Sequence, residues 1–359
     1  MLLMHNSFMF GQFSEPLYEQ LKLLPISNIV ANKRYLHDHE LIAVSANTPC
    51  GDVFSVMFKH NISSVPVFVE ALNKRKYVSI VSALDMLGIV LSRTRSTSVF
   101  MQWLDDSASL FKEPVSQAIR PQYWKDIVGF SSDPISKLIA AFVTSGSHRQ
   151  IIINADRLQD DIQHEATLLE APPLSLLSQT DLVAFLQTAY LDKKSILSGM
   201  LSTAFEISLG QLSGLARRVM QMDADVIAVD SKMTALDAFR VMYMTQVQAL
   251  PVVDDVQKLV ATISATDLRG LTPQTLKFLG LTAFELLESC SRPPQSVATD
   301  QIRSLRPDNF VYEAVEVMLS SKIHRVWLVD SAERVIGVVS LTDVLALFLD
   351  ISSLNFFNL

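Results

Sequence analysis

The chain has 359 residues, of which 49% are hydrophobic and 19% charged, and its formal net charge is -7. This length exceeds one ordinary domain and fits two, and so apolar a composition requires burial between domains or against partners. Because proteins that grip a nucleic-acid backbone usually carry the opposite charge, we expect no nucleic-acid partner.

The cysteines and the apolar segments disfavour two more classes of protein. Cys50 and Cys290, the only two cysteines, cannot by themselves form a disulfide framework or a zinc site, and they indicate reduced thiols. The most apolar segment, 335–349, contains Asp343, and no run reaches the ~18 uncharged residues of a membrane helix. The first ten residues contain no Lys or Arg, which is not typical of a signal peptide. We therefore expect a cytoplasmic or nuclear protein without membrane attachment.

Four segments of the chain follow one order of predicted elements. Each has a helix-period stretch, a run of Val, Ile and aromatic residues typical of a buried strand, and a second strand before a final helix. The first strand runs lie at 65–69, 150–154, 250–254 and 326–330. The second strands end in VSALD (81–85), LSQTD (177–181), ISATD (263–267) and VSLTD (339–343).

This repetition predicts an α+β fold of four units, each strand-helix-strand-strand-helix. A unit of about 60 residues buries a modest core, so we expect the units to pair. The predicted divisions are an N-terminal segment, repeat one, repeat two, a linker, repeat three and repeat four, at 1–25, 26–95, 114–190, 191–211, 212–275 and 295–352. Repeat two also carries an acidic insertion between Asn154 and Leu174, which is typical of a surface loop.

The strand-helix units that end in Ser-x-x-Asp resemble CBS domains, tandem pairs of which form Bateman modules. The resemblance spans roughly residues 26–349. The stretches VQALPVVDDVQKLVATISATDLRGL (247–271) and KIHRVWLVDSAERVIGVVSLTDVLALF (322–348) look like the gamma regulatory subunits of AMP-activated kinases. Within them, SATDLRG and HRVWLVD look closest to plant gamma-like subunits associated with sucrose-non-fermenting-related kinases. The resemblance implies two Bateman modules, packed head to head as a flat disk.

The resemblance also implies which residues bind a ligand. In gamma subunits the aspartate of a repeat holds the ribose of an adenine nucleotide, a role that falls here on Asp85, Asp181, Asp267 and Asp343. Nearby hydroxyls would face the same nucleotide: Ser82, Ser178, Thr180, Ser264, Thr266, Ser340 and Thr342. A His-Arg pair that meets phosphates in this family appears as His148-Arg149 and His324-Arg325, and arginine's planar fork suits phosphate oxygens. The nucleotide position with the most of these expected contacts is in repeat four, next to His324 and Arg325. Val247 and Gln248 of repeat three would form its wall.

Each of these signals also has a structural interpretation. Ser-x-x-Asp where a strand meets a helix is a capping box, and His148-Arg149 is compatible with a solvated helix end. The chain also has fewer basic residues than the family pattern. No Lys or Arg lies between Asn61 and Val69, and Gln246 stands where an Arg is common in the family. His37 and His39 have no further ligands nearby in the sequence, so we predict an exposed loop there and no metal site.

The function implied by the resemblance is regulatory. AMP, ADP or ATP would be regulatory ligands rather than catalytic cofactors, and the partners would be a Ser/Thr kinase catalytic subunit and a beta-type scaffold subunit. The sequence contains no GxGxxG, P-loop, nucleophile elbow, HExxH or paired-cysteine motif, so we expect no enzymatic activity. The alternative is a scaffold of the same fold, regulating a kinase or phosphatase without binding nucleotides.

Overall fold

Each repeat contributes one three-stranded sheet in the computed structural model, and the four sheets share one topology. The short first strand runs parallel to the middle strand, which pairs antiparallel with the third. The antiparallel register shifts at one equivalent place in every sheet: 67/68, 152/153, 252/253 and 328/329. The predicted α+β fold of repeated strand-helix-strand-strand-helix units is confirmed.

The residues described are 17–33, 41–71, 74–94, 100, 108–120, 124–154, 173–220, 225–289 and 303–349. The strands in chain order are Val44–Ser45, Ser64–Ala71, Lys74–Ser82, Val128–Phe130, Arg149–Ile153, Pro173–Ser178, Val229–Asp230, Ala249–Val253, Leu259–Ser264, Ser304–Leu305, Arg325–Val329 and Val335–Ser340. The principal helices are Ser27–Asn32, Cys50–Lys59, Ala83–Arg93, Ile135–Thr144, Gln179–Leu191, Ile196–Phe205, Leu209–Leu212, Leu215–Val219, Ala235–Thr245, Ala283–Ser289, Val311–Ser320 and Leu341–Ala346. Shorter helical turns include Ala265–Leu268, at the end of the third sheet.

Helices join repeats that are not consecutive in the chain. One apolar cluster, the 1–3 core, combines Phe54 and Leu87 of repeat one with Phe239 of repeat three. A second, the 2–4 core, combines side chains such as Phe142 of repeat two and Val315 of repeat four. Each fully buried side chain of this size stabilises the fold by about 1.5–3 kcal/mol. The two cores therefore hold the two halves of the chain together.

Sheets join the repeats that are consecutive. Tyr77 of repeat one packs in one cluster with Ile151 of repeat two. In the second half, Leu259 of repeat three packs with Trp327 of repeat four, whose indole Nε1 donates to Thr262 Oγ1 at 2.8 Å. Repeats one and two form one module, and repeats three and four form the other. Between the modules, repeat one faces repeat three and repeat two faces repeat four.

The stretch predicted as a linker, 191–211, is largely helical. Ser195 caps Ile196–Phe205, accepting from the Leu197 N–H at 3.2 Å, and Leu201 and Phe205 are fully buried in the 2–4 core. Their spacing of four residues places both on one helix face. The connection between the modules is thus a packed element of the fold.

Some of the sequence predictions fall outside the described residues, namely residues 155–172 of the acidic insertion, His37, His39 and Cys290. Within the part that the structure describes, no helix is long and apolar enough to cross a membrane. The same residues contain no group of three or more His, Cys, Asp or Glu side chains able to hold a metal ion.

Candidate functional site

Every repeat places a carboxylate at the start of the helical segment that follows its sheet. A capping box forms in all four, pairing Ser82 with Asp85, Ser178 with Asp181, Ser264 with Asp267 and Ser340 with Asp343. The serine N–H donates to carboxylate Oδ2 at 2.9 Å in repeats one and four and at 2.8 Å in repeats two and three. The capping interpretation is correct, and it commits Oδ2 to the backbone. In repeats one and two the serine hydroxyl also donates to Oδ2, which leaves Oδ1 to accept from a ligand, whereas in repeat three Ser264 Oγ donates to Asp267 Oδ1 at 3.3 Å.

In the first module a cation from the companion repeat meets this carboxylate. Arg120, which leads into repeat two, has its Nε 3.2 Å from Asp85 Oδ1. Lys33, which leads into repeat one, donates from Nζ to Asp181 Oδ2 at 3.1 Å. Neither basic residue was predicted from the sequence. The available signal was that each closes a similar lead-in segment, ISNIVANK (26–33) and VSQAIR (115–120).

In repeat four the carboxylate is engaged by the protein itself. Asp343 is buried, with 4% of its surface exposed, and its Oδ1 accepts the N–H of Ala216 at 3.0 Å. Burial raises the pKa of Asp343, against the lowering effect of the hydrogen bonds from Ser340 and Ala216. The position predicted to be best furnished thus holds the carboxylate with the least access to a ligand.

The predicted hydroxyls occupy different surroundings. Thr266 Oγ1 lies 2.6 Å from Ser264 Oγ within its own capping box. Thr342 Oγ1 accepts from Nε2 of Gln179, in repeat two, at 3.0 Å. Thr180 is half-buried beside Asp181. Thr342 is therefore part of the contact between repeats two and four.

Both predicted His-Arg pairs meet at one place. His148, Arg149, His324 and Arg325 lie close enough for their charges to interact, and Arg269 of repeat three joins them. We call these five residues the basic cluster. Burial lowers the pKa of His324 to about 3, and the charges of Arg149 and Arg325 lower it further. Burial likewise lowers the pKa of His148 to about 4, opposed by a hydrogen bond with Gln179.

The basic cluster lines a recess rather than a sealed core. His324 is exposed and His148 half-buried by surface area, yet desolvation is the largest cause of the lowered pKa of each. A side chain that is surrounded by protein and still accessible to water lies in a concave part of the surface. Both imidazoles are neutral near pH 7 and able to take up a proton when an anion arrives.

The arginines of the cluster are held by neutral oxygens. Arg149 donates to Ser63 Oγ at 2.8 Å, and Arg325 donates to the carbonyl of Ala249 at 3.2 Å, directly after Gln248. Burial lowers the pKa of Arg325 to about 10, which leaves it protonated, and Asp343 opposes that shift. These two hydrogen-bond acceptors are neutral, whereas the carboxylates of Asp181 and Asp343 act on Arg149 and Arg325 through their charges.

Two residues were predicted to form the wall of the fourth-repeat position. Val247 and Gln248 follow the helix Ala235–Thr245 and precede the strand Ala249–Val253. The Val247 N–H donates to the Met242 carbonyl at 3.1 Å, and the carbonyl of Gln248 accepts from the Ala265 N–H at 2.9 Å. These bonds fix the backbone beside Arg325, and a role for either side chain toward a ligand stays a prediction.

Comparison with known families identifies the repeated unit. The model of the CBS domain matches residues 34–92, 216–272 and 295–350, which fall in repeats one, three and four. Repeat two is not among these matches, although its sheet has the topology and register shift of the others.

The chain is also similar to named regulatory subunits. The SNF1-related protein kinase regulatory subunit gamma-like PV42b of Arabidopsis thaliana is 23% identical over 92% of this chain and 95% of its own length. The 5'-AMP-activated protein kinase subunit gamma-3 of Sus scrofa is 31% identical over 32% of this chain and 21% of its own length.

Among solved structures, the fold is similar to that of a proposed archaeal homologue of gamma-AMPK from Methanocaldococcus jannaschii. The TM-score is 0.65 at 17% sequence identity, covering 90% of this chain and all of that one. At this identity the likeness concerns the fold alone.

Proposed function

The chain is a CBS-domain protein, and we propose that it is a gamma-like regulatory subunit of a Ser/Thr protein kinase that binds adenine nucleotides between its repeats. Its similarity to kinase regulatory subunits supports a regulatory role. The ligands are AMP, ADP or ATP, acting as regulators. The partners are a kinase catalytic subunit and a beta-type scaffold subunit.

The observation that carries this proposal is the basic cluster. Repeats two and four each bring a His-Arg pair to the same recess, and Arg269 adds a third guanidinium from repeat three. A recess lined by several guanidinium groups favours anions, and phosphate oxygens match the fork of arginine. Phosphates of a bound nucleotide belong in this recess.

The carboxylates supply the second half of the recognition. A carboxylate oxygen accepts hydrogen bonds from the vicinal hydroxyls of ribose. In Asp85 and Asp181 the capping box uses Oδ2, so Oδ1 would serve this purpose. Asp181 lies close enough to Arg149 to oppose the lowering of its pKa. One ligand therefore reaches both a carboxylate and the basic cluster from repeat two.

Regulation follows from the arrangement of repeats. A ligand in the recess touches both modules, so its binding favours one relative placement of the modules over others. The activity of a kinase subunit that contacts both modules would depend on that placement. Ligand binding would shift this activity only as far as the ligand binds one placement of the modules more tightly than the other.

The first experiment identifies the nucleotides carried by the purified native protein by mass spectrometry, and then measures affinities for AMP, ADP and ATP by calorimetry. Arg149→Gln removes a charge-assisted hydrogen bond, so we expect AMP affinity to fall about 10- to 150-fold. Arg334→Gln is the matched control, because Arg334 forms an exposed ion pair with Asp330 on the outer surface. The proposal fails if the wild-type protein binds none of the three nucleotides, or if both variants bind them equally well.

A second function is favoured by the state of Asp343. Its carboxylate is buried and accepts from two backbone N–H groups, an arrangement suited to holding the fold together. If all four carboxylates act only as caps, the chain is a CBS-domain scaffold that regulates a kinase or phosphatase without nucleotides. Binding of a kinase that is indifferent to AMP, ADP and ATP would support that function.

A further inference from the structure

Arg120 connects three repeats. It belongs to the lead-in segment of repeat two, and its Nε lies 3.2 Å from Oδ1 of Asp85 in repeat one. The guanidinium carbon lies 4.1 Å from the ring centroid of Tyr243 in repeat three, and Nη1 donates to the side chain of Gln246. One side chain thus links a candidate ribose carboxylate to the helix Ala235–Thr245 of the other module.

Tyr243 is held on its other side by repeat one. A Cβ placed on Gly88 would lie 2.3 Å from a ring carbon of Tyr243, so the ring packs directly on the backbone of the helix Ala83–Arg93. Gln246 ends the helix Ala235–Thr245 in a left-handed conformation, with φ 57°. Arg120 therefore lies against the contact between the helices of repeats one and three.

The contact between Arg120 and Asp85 is weak enough for a ligand to replace it. Arg120 Nε is buried but makes no aligned hydrogen bond, and the two side chains are 32% and 25% exposed. An ion pair this exposed contributes at most about fivefold to an equilibrium. Because Ser82 occupies Oδ2, a ribose diol at Asp85 has to use Oδ1, the oxygen that Arg120 faces.

We infer that Arg120 is a displaceable gate at Asp85. A ribose diol that binds Asp85 Oδ1 displaces Arg120, and this displacement loosens the contact of Arg120 with Tyr243 and Gln246. This inference rests on the proposed nucleotide-binding function and assigns its regulation to one residue. Ligand binding in the first module then alters the packing of a helix in the second. Lys33 differs, because its hydrogen-bond acceptors, Asp181 Oδ2 and the Leu176 carbonyl, both lie in repeat two.

The test measures adenosine affinity by calorimetry in the full chain, since adenosine carries the diol and no phosphate. Arg120→Gln should raise affinity about three- to fivefold by removing the competitor for Oδ1. Arg93→Gln is the matched control, because Arg93 forms an exposed ion pair with Glu113, 3.0 Å apart. In an Asp85→Asn background Arg120→Gln should have no effect, which makes the comparison a double-mutant cycle.

Hydrogen exchange gives an independent readout. Adding adenosine to the wild-type chain should accelerate amide exchange at the end of the helix Ala235–Thr245, and should have no such effect in Arg120→Gln. Unchanged or weakened adenosine binding in Arg120→Gln, or exchange that responds equally in both proteins, overturns the gate while leaving nucleotide binding intact. A wild-type chain that binds neither adenosine nor AMP overturns the proposed function and the gate together.

Discussion

Replacing Asp343 with alanine separates a structural carboxylate from a ligand-binding one. The change removes the acceptor of the Ser340 N–H, at 2.9 Å, and of the Ala216 N–H, at 3.0 Å. Ala216 is 4% exposed, so water cannot readily replace the lost acceptor. A buried donor left unsatisfied costs about 1–3 kcal/mol. For the Ser340 and Ala216 donors together the cost is about 2–6 kcal/mol. Relief of the buried charge offsets part of this, and we expect the free energy of unfolding to fall by about 2–4 kcal/mol.

Asp85→Ala is the matched comparison, because Asp85 forms the same capping box but is 25% exposed and faces a cation. Loss of a cap costs about 1 kcal/mol, and loss of an exposed ion pair costs less than about 1 kcal/mol. Urea unfolding followed by circular dichroism, with AMP titration of each folded variant, gives both quantities. The reasoning is refuted if Asp343→Ala is no less stable than Asp85→Ala. It is refuted also if a stable Asp343→Ala protein has lost nucleotide affinity.

Three further predictions concern packing and pH. Gly88→Ala places a methyl group in the ring of Tyr243, so we expect a loss of about 1–3 kcal/mol in urea unfolding, largely restored by adding Tyr243→Ala. The pKa values of His148 and His324 are lowered to about 4 and about 3, below the ordinary 6.5. Protonation therefore favours unfolding, and the urea midpoint should fall as pH drops from 6.5 toward 4, less so in a His148→Gln, His324→Gln double variant. The halves of the chain on either side of 191–211, expressed separately, should self-associate in sedimentation experiments, because each exposes half of both helical cores. Two monomeric, stable halves would contradict the two-module packing.

The repeated unit could be predicted because its signals are local. Runs of Val and Ile mark the middle strands, and each Ser-x-x-Asp marks the junction of a strand with a helix, so the observed strands begin and end within a few residues of the predicted runs. These signals do not show which repeats of the two modules pack on each other. An apolar helix face such as that of Ala235–Thr245 shows that something covers it, but it does not identify repeat one as the cover. The segment 191–211 was predicted as a linker between repeats and a domain boundary, and the structure shows that Leu201 and Phe205 within it form a buried helix face.

In the candidate site, too, some residues could be predicted from the sequence and others could not. The aspartates recur in the repeat pattern, both His-Arg pairs were implied by the family resemblance, and the structure brings the pairs together. Arg120 was missed because it lies in a different repeat from Asp85, and no local pattern relates the two. The partner of Asp343 was missed for another reason. It is the backbone N–H of Ala216, a group that nearly every residue has and that no sequence pattern distinguishes.

The alternation of sheet contacts within modules and helix contacts between them affects how the chain is made on the ribosome. Repeat one is finished when residue 94 has been synthesised, but its helices have their cover in repeat three, which is complete only after residue 289. At ordinary elongation rates of roughly 5–20 residues per second, the nascent first repeat waits on the order of ten seconds or more with an apolar face uncovered. Repeat two waits in the same way for repeat four, at the end of the chain. The first half of the polypeptide is therefore the part most dependent on chaperones that shield apolar surfaces during synthesis.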